Sequence, residues 1–329
     1  MRIRGAPTAR GFSLIELLVV VGIVALLVGI LLPALGKARR AAQAVVSRAN
    51  LRSLHQVATL YAFEHEESYP NPFNEKWREG DPYNQRWGHN YSTMAGGPSK
   101  WNCEMYAFHW YSITAAWLKE GDIASEIQFA PGDFTVQKRF DDRAAEGTLH
   151  NVRAWDGSYA LTPTVLFAPQ RYRPDGRGDT HYLDGPRSLA ARMRTDDVRY
   201  PAAKVLLWQR FDNAQPKRRE FRWDGGALTA VGQSALPPMW NNPTARTSLV
   251  TADGSSLRLD IGDLYADPAQ QELLPPDLWD LGQAGVLTSL RMHEDGFENG
   301  DAANGGWPGV YPALFWATVR GVQGRDLAR

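Results

Sequence analysis

Residues 14–32 hold 15 Leu, Ile or Val and a single charged side chain, Glu16. At about −0.3 to −0.6 kcal/mol per such residue, placing this run in a bilayer gains roughly 4.5–9 kcal/mol, against a cost of about 3 kcal/mol for one central carboxylate. Insertion wins despite Glu16, and the run is long enough to cross the hydrocarbon core. A removable secretory signal has a shorter apolar core that ends at a small-residue cleavage site. Here the run instead continues into a helical pattern. Arg2, Arg4 and Arg10 precede it, and Lys37, Arg39, Arg40, Arg48 and Arg52 follow. Charge counting therefore favours neither orientation.

Apolar residues recur at three- and four-residue steps after the run: Ala38, Ala42, Val45 and Ala49, then Leu51, Leu54, Ala58 and Tyr61. The spacing predicts one helix from Phe12 to about Glu66, lipid-soluble in its first half and amphipathic in its second. Pro33 is expected to kink or loosen it where it leaves the membrane. Gly22, Ala25 and Gly29 put small residues on roughly one side, where neighbouring helices could approach, or where they are ordinary membrane-helix residues. Tyr69-Pro70-Asn71-Pro72 ends the helix by proline chemistry. An amphipathic half needs a surface to pack on, and a sheet from the remaining chain is the expected one.

The segment Gly11-Phe12-Ser13-Leu14-Ile15-Glu16 resembles the cleavage and methylation motif of type IV prepilins and type II secretion pseudopilins. The resemblance implies cleavage after Gly11 by a prepilin peptidase and N-methylation of Phe12. It places Glu16 at the fifth mature position, where the family carries a glutamate thought to pair with a neighbouring subunit's terminal amine, and Pro33 at the twenty-second. A carboxylate inside a membrane needs such a partner, although Glu16 could also sit at headgroup level. The resemblance also implies a cytoplasmic N terminus, a single inner-membrane pass and a domain in the periplasm or on an extracellular filament. It implies an α+β, pilin-like fold: a long N-terminal helix packed on an antiparallel β-sheet with large loop-rich insertions. The resulting division is a leader over residues 1–11, a transmembrane half over 12–35, an amphipathic half over 36–66 and an extracytoplasmic β-rich domain over 67–329.

Ser47, Asn50, Leu51 and Leu54, followed by Tyr69-Pro70, resemble a subfamily of large pseudopilin-like proteins that reads C-x-x-N-L-x-x-L, with Ser47 replacing the cysteine. Its H-x9-DG tag is incomplete here, because Pro243 stands ten residues before Asp253. The domain itself shows short strand signals at 158–161, 164–167, 204–209, 247–252 and 256–259. Asp-Gly pairs at 156, 175, 184, 224, 253 and 295 mark turns. A helical spacing of Tyr106, Trp110, Ile113 and Trp117 predicts a helix over 106–118. Residues 73–155 and 260–329 read as insertions or an extension.

Charge is balanced at 36 basic and 36 acidic residues, which gives no basic excess of the kind that nucleic acid requires. The lone Cys103 can form no internal disulfide, so the fold rests on its core. No H-E-x-x-H, G-x-S-x-G, phosphate-binding loop or dinucleotide fingerprint occurs, and no catalytic residue is expected. The seven histidines are scattered. Asp295, Glu298, Asn299 and Asp301 lie in an oxygen-rich, glycine-punctuated loop that suits calcium or is simply solvated; otherwise no cofactor is expected. Trp77, Trp87 and Trp101 belong to an aromatic cluster that either joins a core or stacks on a ligand such as polysaccharide. The expected role is a minor or accessory filament subunit, its partners being the peptidase, other pilin-like subunits and the inner membrane. The competing role is an anchored ligand-binding protein that uses the segment only for export.

Overall fold

A computed structural model describes residues 13–70, 110, 114, 117, 126–133, 157–165, 168–172, 193–215, 217–223, 228–234, 237–273, 314–315 and 318–328. Helix α1 runs over Leu14–Glu64, 51 residues and about 77 Å at 1.5 Å per residue. An antiparallel sheet follows it in the chain, built from β1 (Tyr159–Leu161), β2 (Val205–Gln209), β5 (Arg246–Thr251) and β6 (Ser256–Asp260) in the order β1-β2-β5-β6. The architecture is α+β and pilin-like. A separate hairpin pairs β3 (Arg218–Trp223) with β4 (Leu228–Ser234), and two short helices, α2 (Ile261–Ala266) and α3 (Pro268–Gln271), follow β6. The chain divides into two compact units, Met1–Gln43 and Ala44–Arg329, with α1 contributing to both.

In the first unit every described Leu, Ile and Val from Leu14 to Leu35 is exposed. The helix passes through Pro33 without interruption, although proline offers no N–H to the carbonyl one turn back.

In the second unit the buried face of α1 is Ser47, Leu51, Leu54, Val57, Ala58, Tyr61 and Ala62. This corrects the continuous stripe that the sequence pattern suggested, for Ala38, Ala42, Val45 and Ala49 are exposed. At about 100° per residue, Ala49 and Leu51 point some 200° apart, so the two sets occupy opposite faces of one helix. The outward set is prolonged by Leu60 and Phe63, 53% and 77% exposed.

Hydrogen bonds fasten the buried face to the sheet. The Tyr159 hydroxyl donates to Ser47 Oγ at 3.2 Å, and that hydroxyl donates to Gln209 Oε1 at 2.7 Å. The Gln209 amide then donates to the Phe211 carbonyl at 2.6 Å. Such a chain leaves no polar atom of the buried serine idle, and its members polarise one another. Further along, His55 Nε2 lies 3.1 Å from the Ala252 carbonyl and its ring packs over Gly254, at the tip of the β5–β6 hairpin. Gly254 has φ +84°, which strains any residue with a Cβ. Asp253 completes the turn by accepting from Thr251 Oγ1, the Ser255 N–H and Ser255 Oγ.

Side chains alternate across a strand. Gln209 faces α1, so its neighbour Trp208 faces the other way, meeting Trp240 and Phe315 at ring-centroid distances of 5.7 and 5.9 Å. Both faces of β2 are thus covered and all five of its residues are buried. The second cover is the C-terminal segment, held by an ion pair with no exposure on either side chain. Lys204 Nζ lies 3.1 Å from Asp326 Oδ2 and also donates to Thr318 Oγ1 and the Gly321 carbonyl. Asp326 accepts from the Val205 N–H at 2.8 Å and from Thr318 Oγ1. Burial pushes the lysine toward losing its proton and the carboxyl toward keeping its own, while their mutual attraction opposes both shifts. Thr318, Val322, Asp326 and Leu327, in a stretch that the sequence offered only as an extension, are therefore buried with the core.

The strands at 158–161, 204–209, 247–252 and 256–259 appear at or within a residue of the expected positions. Of the expected strand at 164–167, Thr164 and Val165 are not strand, and residues 166–167 lie outside the described residues. Pro163–Val165 is a 3-10 turn, in which Thr162 Oγ1 accepts the Thr164 N–H and the Thr162 carbonyl accepts the Val165 N–H. The threonine hydroxyl offers the backbone a local partner that competes with a ladder. The 106–118 helix lies mostly outside the described residues. Trp110 within it is fully buried, and Trp117 donates from Nε1 to Glu64 Oε1 at the end of α1.

Burial raises the Tyr69 and Tyr159 phenols above the ordinary value of 10.0, against the Ser47 and Asn50 hydrogen bonds at Tyr159. A raised phenol contributes stability that is fully present below pH 10.0 and is lost above it, because the unfolded chain ionises first. The unfolding free energy from urea titration is expected to hold to about pH 10 and then fall by about 1.4 kcal/mol per pH unit per tyrosine. Tyr69→Phe should halve that slope; an unchanged slope would mean that the Tyr69 phenol is not shut away from solvent.

Candidate functional site

The candidate site is the beginning of α1. Ser13 is the last residue before the helix, and its N–H donates to Glu16 Oε2 at 2.9 Å. In return the Glu16 N–H donates to Ser13 Oγ at 3.2 Å. These reciprocal bonds are a capping box, which satisfies two backbone donors that a helix start otherwise leaves open and sets a negative charge at the positive end of the helix dipole. The Ser-x-x-Glu spacing was readable in the sequence, but the glutamate drew attention for its charge alone. Sequence reasoning thus missed Ser13 as a functional residue.

Glu16 is exposed on an apolar helix and pairs with no cation among the described residues. One carboxylate oxygen is engaged by Ser13, and the side chain retains lone pairs for a donor from outside the chain. Such a group at membrane depth is costly until it meets a positive partner. Chemically the arrangement can anchor, and it can recognise an amine.

Residues 7–32 match the family model for the prokaryotic N-terminal methylation motif. The chain carries a prepilin-type amino terminus. No curated protein and no solved structure matches the chain. The prepilin-type segment supports a type IV pilin-like precursor that a prepilin peptidase processes and that assembles with other pilin-like subunits, a class of structural proteins. Together with the one described helix long and apolar enough to cross a membrane, it supports a single-pass, membrane-anchored protein.

Of the other sequence-predicted residues, Pro33 lies inside α1, on the same apolar unit as Glu16. Gly11 and Phe12 lie outside the described residues, as do Asp295, Glu298, Asn299 and Asp301 of the acidic loop and Trp77, Trp87 and Trp101 of the aromatic cluster. Among the described residues no group of three or more His, Cys, Asp or Glu is placed to hold a metal ion. Ser47, Asn50, Leu51 and Leu54 all meet the sheet or the loop beside it. Asn50 Nδ2 donates to the Phe129 carbonyl at 3.2 Å, and both leucines are fully buried. Their part is to seat the helix on its domain. Asn242, beside the Pro243 that stands where the tag has histidine, is buried and donates to the Arg219 carbonyl while accepting from Thr244. It ties the β3–β4 hairpin to the loop before β5.

Proposed function

We propose that this chain is a minor or accessory subunit of a type II secretion or type IV pilus-like filament, cleaved after Gly11 and N-methylated on Phe12. The observation that carries the reading is the methylation motif at residues 7–32, whose part from Leu14 onward opens a 51-residue helix. In this reading the N terminus faces the cytoplasm and the domain is periplasmic or filament-borne. Glu16 pairs with the Phe12 amine of an adjacent subunit, and Pro33 loosens the helix near the membrane exit. The outward apolar residues, from Ala38 through Val45 and Ala49 to Leu60 and Phe63, support it by offering neighbouring helices a surface that the chain's own domain leaves exposed. A domain of this bulk is more easily placed at a tip than repeated along a shaft.

The test is intact-mass and N-terminal analysis of protein extracted from native membranes, together with cross-linking of Glu16→Ala. The expected mass lacks residues 1–11 and carries one methyl group on Phe12. Glu16→Ala should be processed normally yet fail to cross-link to neighbouring subunits. An intact N terminus would sink the filament reading. Normal cross-linking by Glu16→Ala would remove the role of the carboxylate.

A further inference from the structure

Between Glu16 and Glu64 the chain contains no acidic residue, while Lys37, Arg39 and Arg40 stand immediately beyond the apolar run. All three side chains are exposed. Residues 14–35 form about 33 Å of helix, which matches the hydrocarbon core. Lys37 through Arg40 then lie about 3–8 Å past its edge, the depth of one headgroup layer. Arg40 also turns back toward that edge. Its Nη1 lies 3.7 Å from the point a Cβ would occupy on Gly36, so the guanidinium sits a full turn below its own Cα. Gly36, having no side chain, leaves that approach open. The result is three cations at phosphate depth, Lys37 and Arg40 about 60° apart around the helix and Arg39 about 100° beyond Arg40, with no carboxylate on the helix between Glu16 and Glu64 to neutralise them.

We infer that Lys37, Arg39 and Arg40 form a binding site for the phosphate of anionic lipid headgroups at the domain-side end of the membrane span. The inference rests on the single-pass anchor described above. It also gives cleavage an electrostatic consequence. The precursor has Arg2, Arg4 and Arg10 before the span, and cleavage after Gly11 removes all of them. Apart from the new Phe12 amine, the mature chain then keeps its basic groups flanking the span only on the side nearer the domain, where each such residue adds attraction to anionic lipid.

The test reconstitutes the full mature chain in vesicles of equal parts phosphatidylglycerol and phosphatidylcholine. The lipids that stay bound on gentle detergent release are then counted by native mass spectrometry. The parent chain is expected to retain phosphatidylglycerol over phosphatidylcholine by at least about fivefold. The variant K37Q/R39Q/R40Q, whose changes are all at exposed helix positions, should retain the two lipids equally. The same ratio in both proteins would overturn the site. So would displacement of the retained lipid by inorganic phosphate, which would make it a free-anion site. Carbonate washing of the same vesicles separates this failure from that of the anchor. A chain that stays in the membrane without lipid preference loses only the headgroup site, whereas one that washes off loses the membrane span as well.

Discussion

Lys204→Met is expected to destabilise the domain by about 3–5 kcal/mol, because it strands the Asp326 carboxylate in a place with no solvent access. The lysine's removal costs more than the pair's net worth, since the remaining charge loses its partner but not its burial. The companion variant decides the interpretation. Asp326 accepts the Val205 N–H at 2.8 Å, so the second change must keep an acceptor there. Lys204→Met with Asp326→Asn keeps it, removes both charges, and should recover most of the loss. Urea denaturation of the detergent-solubilised chain, followed by tryptophan fluorescence, measures both. A single variant as stable as the parent would mean that the carboxyl is already uncharged in the fold. A double variant no better than the single would place the loss in packing of the lysine stem.

Trp208→Ala is expected to cost about 3–5 kcal/mol as well, through a different cause. Trp208 is fully buried and stands at the centre of the cover over the second face of the sheet, against Trp240 and Phe315. Truncation removes the apolar area and leaves a cavity that three rigid elements cannot collapse to fill: the β2 ladder, the Trp240 turn, whose Nε1 donates to the Leu314 carbonyl at 3.0 Å, and the segment carrying Phe315. Trp208→Phe, which keeps a ring, should lose less than half as much. The same denaturation measurement applies, and a loss below about 1 kcal/mol would show that the second face is not close-packed.

The two predictions concern the part of the molecule that was hardest to read. The helix and its motif were legible because their signals are local: an apolar run, a glycine before it and a proline after it. The four sheet strands were legible for the same reason, being short apolar runs beside turn residues, with Asp253-Gly254 making its hairpin as expected. The stripe error at Ala49 and Leu51 arose because three- and four-residue steps were followed across a phase change that only angular bookkeeping reveals. The β3–β4 hairpin escaped notice because Arg218–Trp223 is dominated by charged residues, and its pairing partner lies beyond an Asp-Gly turn that alone carried the signal. The C-terminal cover could not be read at all. Nothing near Asp326 in the sequence points to Lys204, 122 positions earlier, and a buried ion pair leaves no periodicity. The candidate site was legible in its charge and its motif, and its capping geometry was written in Ser13 and Glu16 but not recognised.

The Lys204–Asp326 pair also sets a clock on folding. At a synthesis rate of about 5–20 residues per second, the 122 positions between them take roughly 6–24 s to appear. Throughout that interval the lysine destined for the core has no Asp326 to meet, and Phe315 reaches Trp208 only near its end. A chain interrupted before residue 326 lacks the carboxylate that favours the charged lysine in the core, and it is expected to be cut by proteases more readily than the full chain. The pair thus ties the last-made stretch of the described chain to a strand made 122 positions earlier, and the domain reaches its full stability only once synthesis has passed residue 326.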